Sequence, residues 1–358
     1  MKKKQLHFTI GKASIFILII TLLVTNSLYA AKSKELNIWT WGIYCPDFAT
    51  QSFEEKYGIK VRCTFYHGNE ELWSKVMASH AGLDIIQPSH HMIERFAKAG
   101  LIDPIDSSKI PNYKFVFPSF KNGAYSMYKG KSYSVPYTFG VNGICYRKDM
   151  VEEPVTSLAA LWDKRYAGHI STSRNPDDAT QTVALYLKMD VSKLNEDTDA
   201  KLEKIKVSMR KQNPLLLKRF ESLEEEKNLL ASGDVWVAGS DDGNCWKMMR
   251  DDIPVQYVVP EEGATAWIDQ FAIMADAPHK DAAYLWINHL LSPEMASKMI
   301  QEIGYMVVNE KAQDALPEKL KKIMIYTPEQ MERVYPMPIL LPETVQKMVS
   351  AYQDVRGE

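Results

Sequence analysis

Acidic residues are missing from the first thirty positions, and cysteine is missing from the first forty-four. With no Asp or Glu to balance them, Lys2, Lys3, Lys4 and Lys12 give the chain a basic start. An apolar run from Ala13 to Val24 follows, then small residues at Ala30-Ala31. That order predicts a secretory signal peptide over residues 1–30, cleaved after Ala30. The run is short for a membrane anchor, which takes about 20 apolar residues. With no cysteine at its exit there is no site for an N-terminal lipid, so the expected compartment is the periplasm. No later apolar segment is long enough to span a membrane. Removing the leader takes four lysines and no acids, which shifts the formal charge from -2 to -6.

Other absences narrow the function. Lys+Arg 43 against Asp+Glu 45 leaves no basic excess for nucleic acid. The patterns G-x-S-x-G, G-x-x-x-x-G-K-[ST], H-E-x-x-H and G-x-G-x-x-G do not occur, which removes the common hydrolase, nucleotide and dinucleotide signatures. The reading is therefore of a non-enzyme, with no cofactor and no metal. His90-His91 is the only histidine pair, and adjacent residues on a helix diverge too far to chelate well. The four cysteines, Cys45, Cys63, Cys145 and Cys245, contain no C-x-x-C pair, which disfavours redox catalysis and structural zinc. An oxidising compartment permits three complete pairings, and buried free thiols are at least as expected as bridges. Repeats and flexible Gly/Ser linkers are also lacking.

What is present is a chain of 358 residues with 46% apolar content, enough for about two domains. Strands are expected at Glu35–Trp41, Ile59–Tyr66 and Leu83–Gln87. Between them come helices at Phe48–Tyr57 (stopped by Gly58), from Asn69, and at Ser89–Ala99. Three strand–helix units indicate a parallel, doubly wound sheet. Ligands bind beyond the carboxyl ends of such strands, which points to Trp41–Pro46, Tyr66–Asn69 and Pro88–His91. A second α/β region carries strands at Ser132–Tyr137, Gly143–Tyr146, Gly168–Thr172, Asp234–Ala238, Gln256–Val259 and Thr265–Met274. Its helices are expected at Ala200–Gln212, Glu221–Ala231, Lys280–Leu291, Pro293–Ile303 and Pro317–Ile325. The run Glu224-Glu225-Glu226-Lys227 reads as a solvated helix face. Two domains without a linker imply crossover through strands, with a hinged cleft between them.

An aromatic–carboxylate set stands out at these turns. Trp39, Trp41 and Tyr44 crowd the end of the first strand, and Trp267 and Asp269 share one side of a later strand. Asp177-Asp178 and Asp241-Asp242 each precede a helix. One member of each pair is expected to cap its helix while its neighbour faces the cleft. Carboxylates beside ring faces suit an organic polycation, whose ammonium groups need acceptors and whose methylenes lie on rings. An anion would call for Arg, Lys or free helix N-termini instead.

At this point the chain resembles the periplasmic spermidine/putrescine-binding proteins of polyamine ABC importers. The resemblance rests on Trp41-Gly42-x-Tyr44-x-Pro46, Gly58-Ile59-x-Val61, Asp84-Ile85-Ile86-x-Pro88-Ser89 and Ser134-Val135-Pro136-Tyr137. It continues through Val141-Asn142, Gly233-Asp234-Val235, Glu262-Gly263-x-x-x-Trp267-x-Asp269, Ile303-Gly304-Tyr305 and Asn309. It implies an α/β fold of the two-lobed class II periplasmic binding protein type, each lobe a sheet flanked by helices. Lobe 1 would take residues 31–140 and 268–313, and lobe 2 residues 141–267 and 314–358. The implied partners are a polyamine ligand and an inner-membrane ABC permease with its ATPase, served by a monomer. By position, Trp41 and Tyr44 would pack on methylenes, Ser89 would add a polar contact, Trp267 would stack, Asp269 would bind an amine and Tyr305 would line the hinge side. Three positions depart from the family. His91 replaces a pocket tyrosine, Asp241 replaces a pocket tryptophan, and the loop Asn175–Gln181 keeps Asp177 and Asp178 but lacks a clear second carboxylate. The departures leave room for another solute (a guanidinium compound, thiamine, a metal or a sugar) or a hydrolase built on Asp177 and Asp241.

Overall fold

The computed structural model describes residues 35–121, 123–324 and 326–356, so the leader expected at Met1–Ala30 lies outside the described residues. In chain order the elements that position the site begin with β1 (Glu35–Trp41), α1 (Asp47–Tyr57), β2 (Lys60–Tyr66), α2 (Asn69–Ala78), β3 (Ile85–Ile86) and α3 (Ile93–Lys98). Along β1 the buried positions alternate as Leu36, Ile38 and Thr40, as a strand requires. Helix α1 stops where Gly58 adopts φ 65°, a left-handed conformation that glycine enters without steric cost. Its buried Phe53 meets the Trp286 ring edge-on at 5.1 Å. β1 pairs in parallel with both β2 and β3, which matches the doubly wound start expected from sequence.

The next strand, β4 (Val135–Arg147), is one continuous element of 13 residues, not the two short strands expected at Ser132–Tyr137 and Gly143–Tyr146. Pairing explains the difference, because β4 has partners along its whole length. After it come β5 (Ile170–Ser173), α4 (Pro176–Tyr186), α5 (Thr198–Gln212), β6 (Leu216–Phe220), α6 (Leu223–Ser232), β7 (Val237–Asp241), α7 (Asp242–Arg250) and β8 (Val255–Val258). The chain then forms β9 (Ala264–Ile273), α8 (Lys280–Leu290), α9 (Pro293–Ile303), β10 (Met306–Val307), β11 (Val334–Pro336) and α10 (Pro342–Arg356). Strand order is β2-β1-β3-β9-β4-β7-β5-β6, with β9 antiparallel to both β3 and β4. Two antiparallel strands, β4 and β9, thus carry the chain between a parallel trio at each end. Among the described residues no helix is long and apolar enough to cross a membrane.

Four further differences have local causes. β7 starts three residues later than the Asp234–Ala238 expected, because Gly233 closes α6 at φ 82° and Ser232 holds Asp234 in the following turn. Glu226 is buried, not solvated as the charge run implied; it lies one turn before buried Leu230 on the inner stripe of α6. The helix expected at Pro317–Ile325 is a single turn over Glu318–Lys321. β6 and α10 were not foreseen, although α10 buries Thr344, Met348, Ala351, Tyr352 and Val355 on one face.

All four cysteines are bridged, as Cys45–Cys63 and Cys145–Cys245, so the free-thiol expectation fails.

Candidate functional site

The site is laid out by strand register. In β4, Thr138, Gly140 and Asn142 alternate onto one face of the sheet. Across the β9 side they oppose Asp269, Trp267 and Thr265, and across the β7 side Asn142 opposes Asp241. β10 pairs Met306 with Phe139, which sets Tyr305 beside Gly140. One row therefore reads Tyr305, Gly140, Trp267. The two rings meet across it at 4.9 Å, inclined by 74°. Gly140 permits this, since a Cβ there would fall 2.3 Å from the Trp267 ring. Gly243 does the same for Tyr305, whose ring lies 2.2 Å from where a Cβ would sit.

Asp269 anchors one end. Tyr44 donates its hydroxyl to Asp269 Oδ2 at 2.7 Å, and Ser89 donates to Oδ1 at 2.7 Å. Asn69 holds Ser89 from both sides, donating Nδ2–H to its Oγ at 3.1 Å and accepting its backbone N–H at 3.0 Å. Tyr44, Asn69 and Ser89 come from the three turns beyond the ends of β1, β2 and β3, where the rule for open α/β sheets places a ligand. Burial pushes the Asp269 carboxyl up to about 6, and its bonds from Ser89 and Tyr44 pull it partly back. Trp41, at the end of β1, lies 4.7 Å from Tyr66 between ring centroids.

Asp178 and Asp241 form the other end. Asn142 donates to Asp178 Oδ1 at 3.1 Å and Ser173 to Oδ2 at 3.2 Å. Burial, opposed by the Ser173 bond and helped by the charges of Asp177 and Asp241, raises the Asp178 carboxyl to about 6. Asp241 accepts the Asn244 N–H at 2.8 Å and the Tyr305 hydroxyl at 3.2 Å, and burial raises its carboxyl as well. Both capping expectations need correction. Asn175, not an aspartate, caps α4, accepting the Asp177 N–H at 2.8 Å. At α7 the capping residue Asp241 is also the one beside the rings, whereas Asp242 turns inward to the Tyr326 hydroxyl.

The structure thus brings together Tyr44, Ser89 and Asp269 at one end, Trp267 and Tyr305 in the middle, and Asp178 and Asp241 at the other. Asp177 is half-buried, next to Asp178 in the first turn of α4. His91 is exposed at the start of a short 3-10 turn, its ring edge-on to His90 at 5.7 Å, and it makes no hydrogen bond to the Asp269 group.

Residues 49–324 match the family of bacterial extracellular solute-binding proteins. The chain belongs to that family. It is 30% identical over 299 residues to spermidine/putrescine-binding periplasmic protein 1 of Haemophilus influenzae, covering 83% of this chain and 81% of the relative. It is also 30% identical over 312 residues to the putrescine-binding periplasmic protein PotF of Escherichia coli, covering 81% and 82%. Among solved structures, the spermidine/putrescine ABC transporter substrate-binding protein PotD from Streptococcus pneumoniae, in complex with calcium and HEPES, superposes with a TM-score of 0.82 at 26% identity. That match covers 91% of this chain and 99% of the other. The resemblance drawn from sequence is borne out, and so is the two-lobed α/β fold.

For a solute-binding protein, four residues missed in the sequence matter here: Asn69, Asn142, Ser173 and Glu226. The first three orient the carboxylates; Asn69 ends one of the turns expected to face the ligand and Asn142 lies in a motif of the resemblance, but neither had a role assigned from sequence. Glu226 accepts from Asn244 Nδ2 at 2.9 Å and is pushed up to about 8, by burial first and the Asp241 charge second. Its spacing from Leu230 was a usable signal.

Proposed function

We propose that this protein captures a polyamine-like organic cation between its lobes in the periplasm and delivers it, chemically unchanged, to an inner-membrane ABC importer. One observation carries the reading. Asp241 and Asp269 flank one row of rings, with Asp178 near Asp241, and the hydrogen bonds they accept come from neutral donors. Asp269 is buried and the other two half-buried. Lys247 lends Asp241 some opposite charge, and carboxylates withdrawn from water without a hydrogen-bonded cation are costly. An alkyl diamine would supply one ammonium to Asp269 and one to the Asp178–Asp241 end, with its methylenes across Trp267 and Tyr305. Each cation over a ring adds about 0.5–2 kcal/mol. The names of the relatives support the same ligand class. In this reading Met1–Ala30 is the export leader, the protein acts as a monomer, and the lobes divide at residues 140–141, 267–268 and 313–314.

The test is a melting-temperature series with putrescine, spermidine, agmatine, an amino acid and a sugar, followed by native mass spectrometry of the purified protein. Putrescine or spermidine should raise the melting temperature and co-purify. A shift with the sugar and none with the amines would sink the assignment.

A further inference from the structure

Tyr44 lies in the five-residue connection between β1 and α1, where Gly42 and Ile43 are exposed. Its backbone bonds Tyr44 N to Trp41 O at 3.0 Å, and at its far end Pro46 O accepts the N–H groups of Ala49 and Thr50 from α1. Pro46, which precedes α1, offers no side-chain cap. The neighbour of Tyr44 is Cys45, bridged to Cys63 with Cα atoms 6.6 Å apart. Cys63 pairs with Ile38 in the β1–β2 register, so the bridge ties the connection back onto its own strands. Both Cys45 and Cys63 are half-buried, whereas Cys145 and Cys245 are 0% exposed.

We infer that Cys45–Cys63 is a positioning pair for the Asp269 end of the site: it holds the Tyr44 hydroxyl on Asp269 before the ligand arrives, and it is the bridge that thiols reach first. The inference rests on the polyamine reading above. Without the staple, the connection orders only when the ligand binds, and that cost is taken from the affinity. Reduction proceeds by thiol–disulfide exchange: a dithiol such as dithiothreitol attacks the bridge, forms a mixed disulfide and closes to its own cyclic disulfide. Cys45 and Cys63 are left as two thiols.

The experiment is a titration with putrescine and spermidine of four proteins: the oxidised wild type, Cys45→Ser/Cys63→Ser, Tyr44→Phe, and the triple variant. Losing the Tyr44 hydroxyl should weaken binding about tenfold. Losing the staple alone should weaken it about two- to tenfold, the ordering cost of a side chain or two. The triple variant should bind no worse than Tyr44→Phe. In parallel, the folded wild type is treated with mild dithiothreitol and iodoacetamide, which keeps the test open should the double serine variant misfold. Alkylation should fall on Cys45 and Cys63 alone, with the same loss of affinity. Unchanged affinity beside a lowered melting temperature, losses that multiply in the triple variant, or alkylation at Cys145 and Cys245 would each overturn the inference and leave the ligand reading intact. Failure of the oxidised wild type to bind either amine would overturn the ligand reading, and the inference with it.

Discussion

The two ends of the site hold negative charge in different ways. Asp269 is a single carboxylate, 5% exposed, with a hydroxyl on each oxygen from a different turn of one lobe. At the other end several acids crowd together. Asp178 feels both Asp177 and Asp241, and Asp241 in turn raises Glu226 and Asp242. The first end has a donor in place on each oxygen. The second is a group of acids whose carboxyls are raised by burial first and by one another's charge next. A strong local anchor paired with an adjustable acidic end suits the polyamine-like cation proposed above.

The largest effect should come from the anchor. Asp269→Asn keeps the size of the side chain and one acceptor oxygen for Tyr44 or Ser89, turns the other oxygen into an N–H donor, and removes the charge. Charge-assisted hydrogen bonds contribute roughly 1.5–3 kcal/mol, so putrescine affinity should fall about ten- to 150-fold by calorimetry. A loss under threefold would show that Asp269 is not the amine's counter-charge, and the contrast between the ends would collapse.

Proton linkage sharpens the comparison next. Asp178 and Asp269 sit near 6 in the fold, above the usual aspartate value. An acid raised in this way favours the folded protein at low pH and loses that contribution as pH climbs from about 4 through 6. Without ligand, these two acids favour the fold more at pH 5 than at pH 7, while buried His90 and His289, lowered to about 4, favour the higher pH. The acid share is read as the change in this pH dependence between wild type and Asp269→Asn. Amine binding runs the other way, because it requires the ionised form. Between pH 7 and pH 5 each engaged carboxylate should cost about tenfold in affinity. In Asp269→Asn that pH dependence should lose one tenfold factor, while a slope equal to wild type would place the titrating groups elsewhere.

Much of this was legible in the chain. Trp41, Tyr44, Ser89, Trp267 and Asp269 sit at strand ends or at period-two spacing, so local pattern locates them, while Tyr305 came from the family resemblance. Asn69 and Asn142 act through pairings 20 and 36 positions apart, which no local pattern encodes, whereas Ser173 bonds Asp178 five positions on, across the turn that leads into α4. The β4 strand reads as two pieces on paper, Ser132–Tyr137 and Gly143–Tyr146, with Gly140 in the gap between them. In the fold, Gly140 is the opening through which the Trp267 and Tyr305 rings meet. Glu226 was misread because a run of charges suggests water, although three of its four members can face out while the fourth turns in.

The smallest effect should come from Asp241→Asn, and its smallness is what tests the contrast. Asparagine caps helices as well as aspartate does, so the bond to Asn244 N–H and the start of α7 should survive. Removing one charge from among Asp178, Asp242 and Glu226 also relieves repulsion, so the melting temperature without ligand should hold or rise slightly. The remaining carboxylates still neutralise the distal ammonium, and affinity for putrescine should fall about three- to tenfold. A loss matching that of Asp269→Asn would make Asp241 a second fixed anchor, and the idea of a shared, adjustable charge would be wrong. A negligible loss, with Asp178→Asn as damaging as Asp269→Asn, would instead confine the distal contact to the first turn of α4 and leave Asp241 as a helix cap.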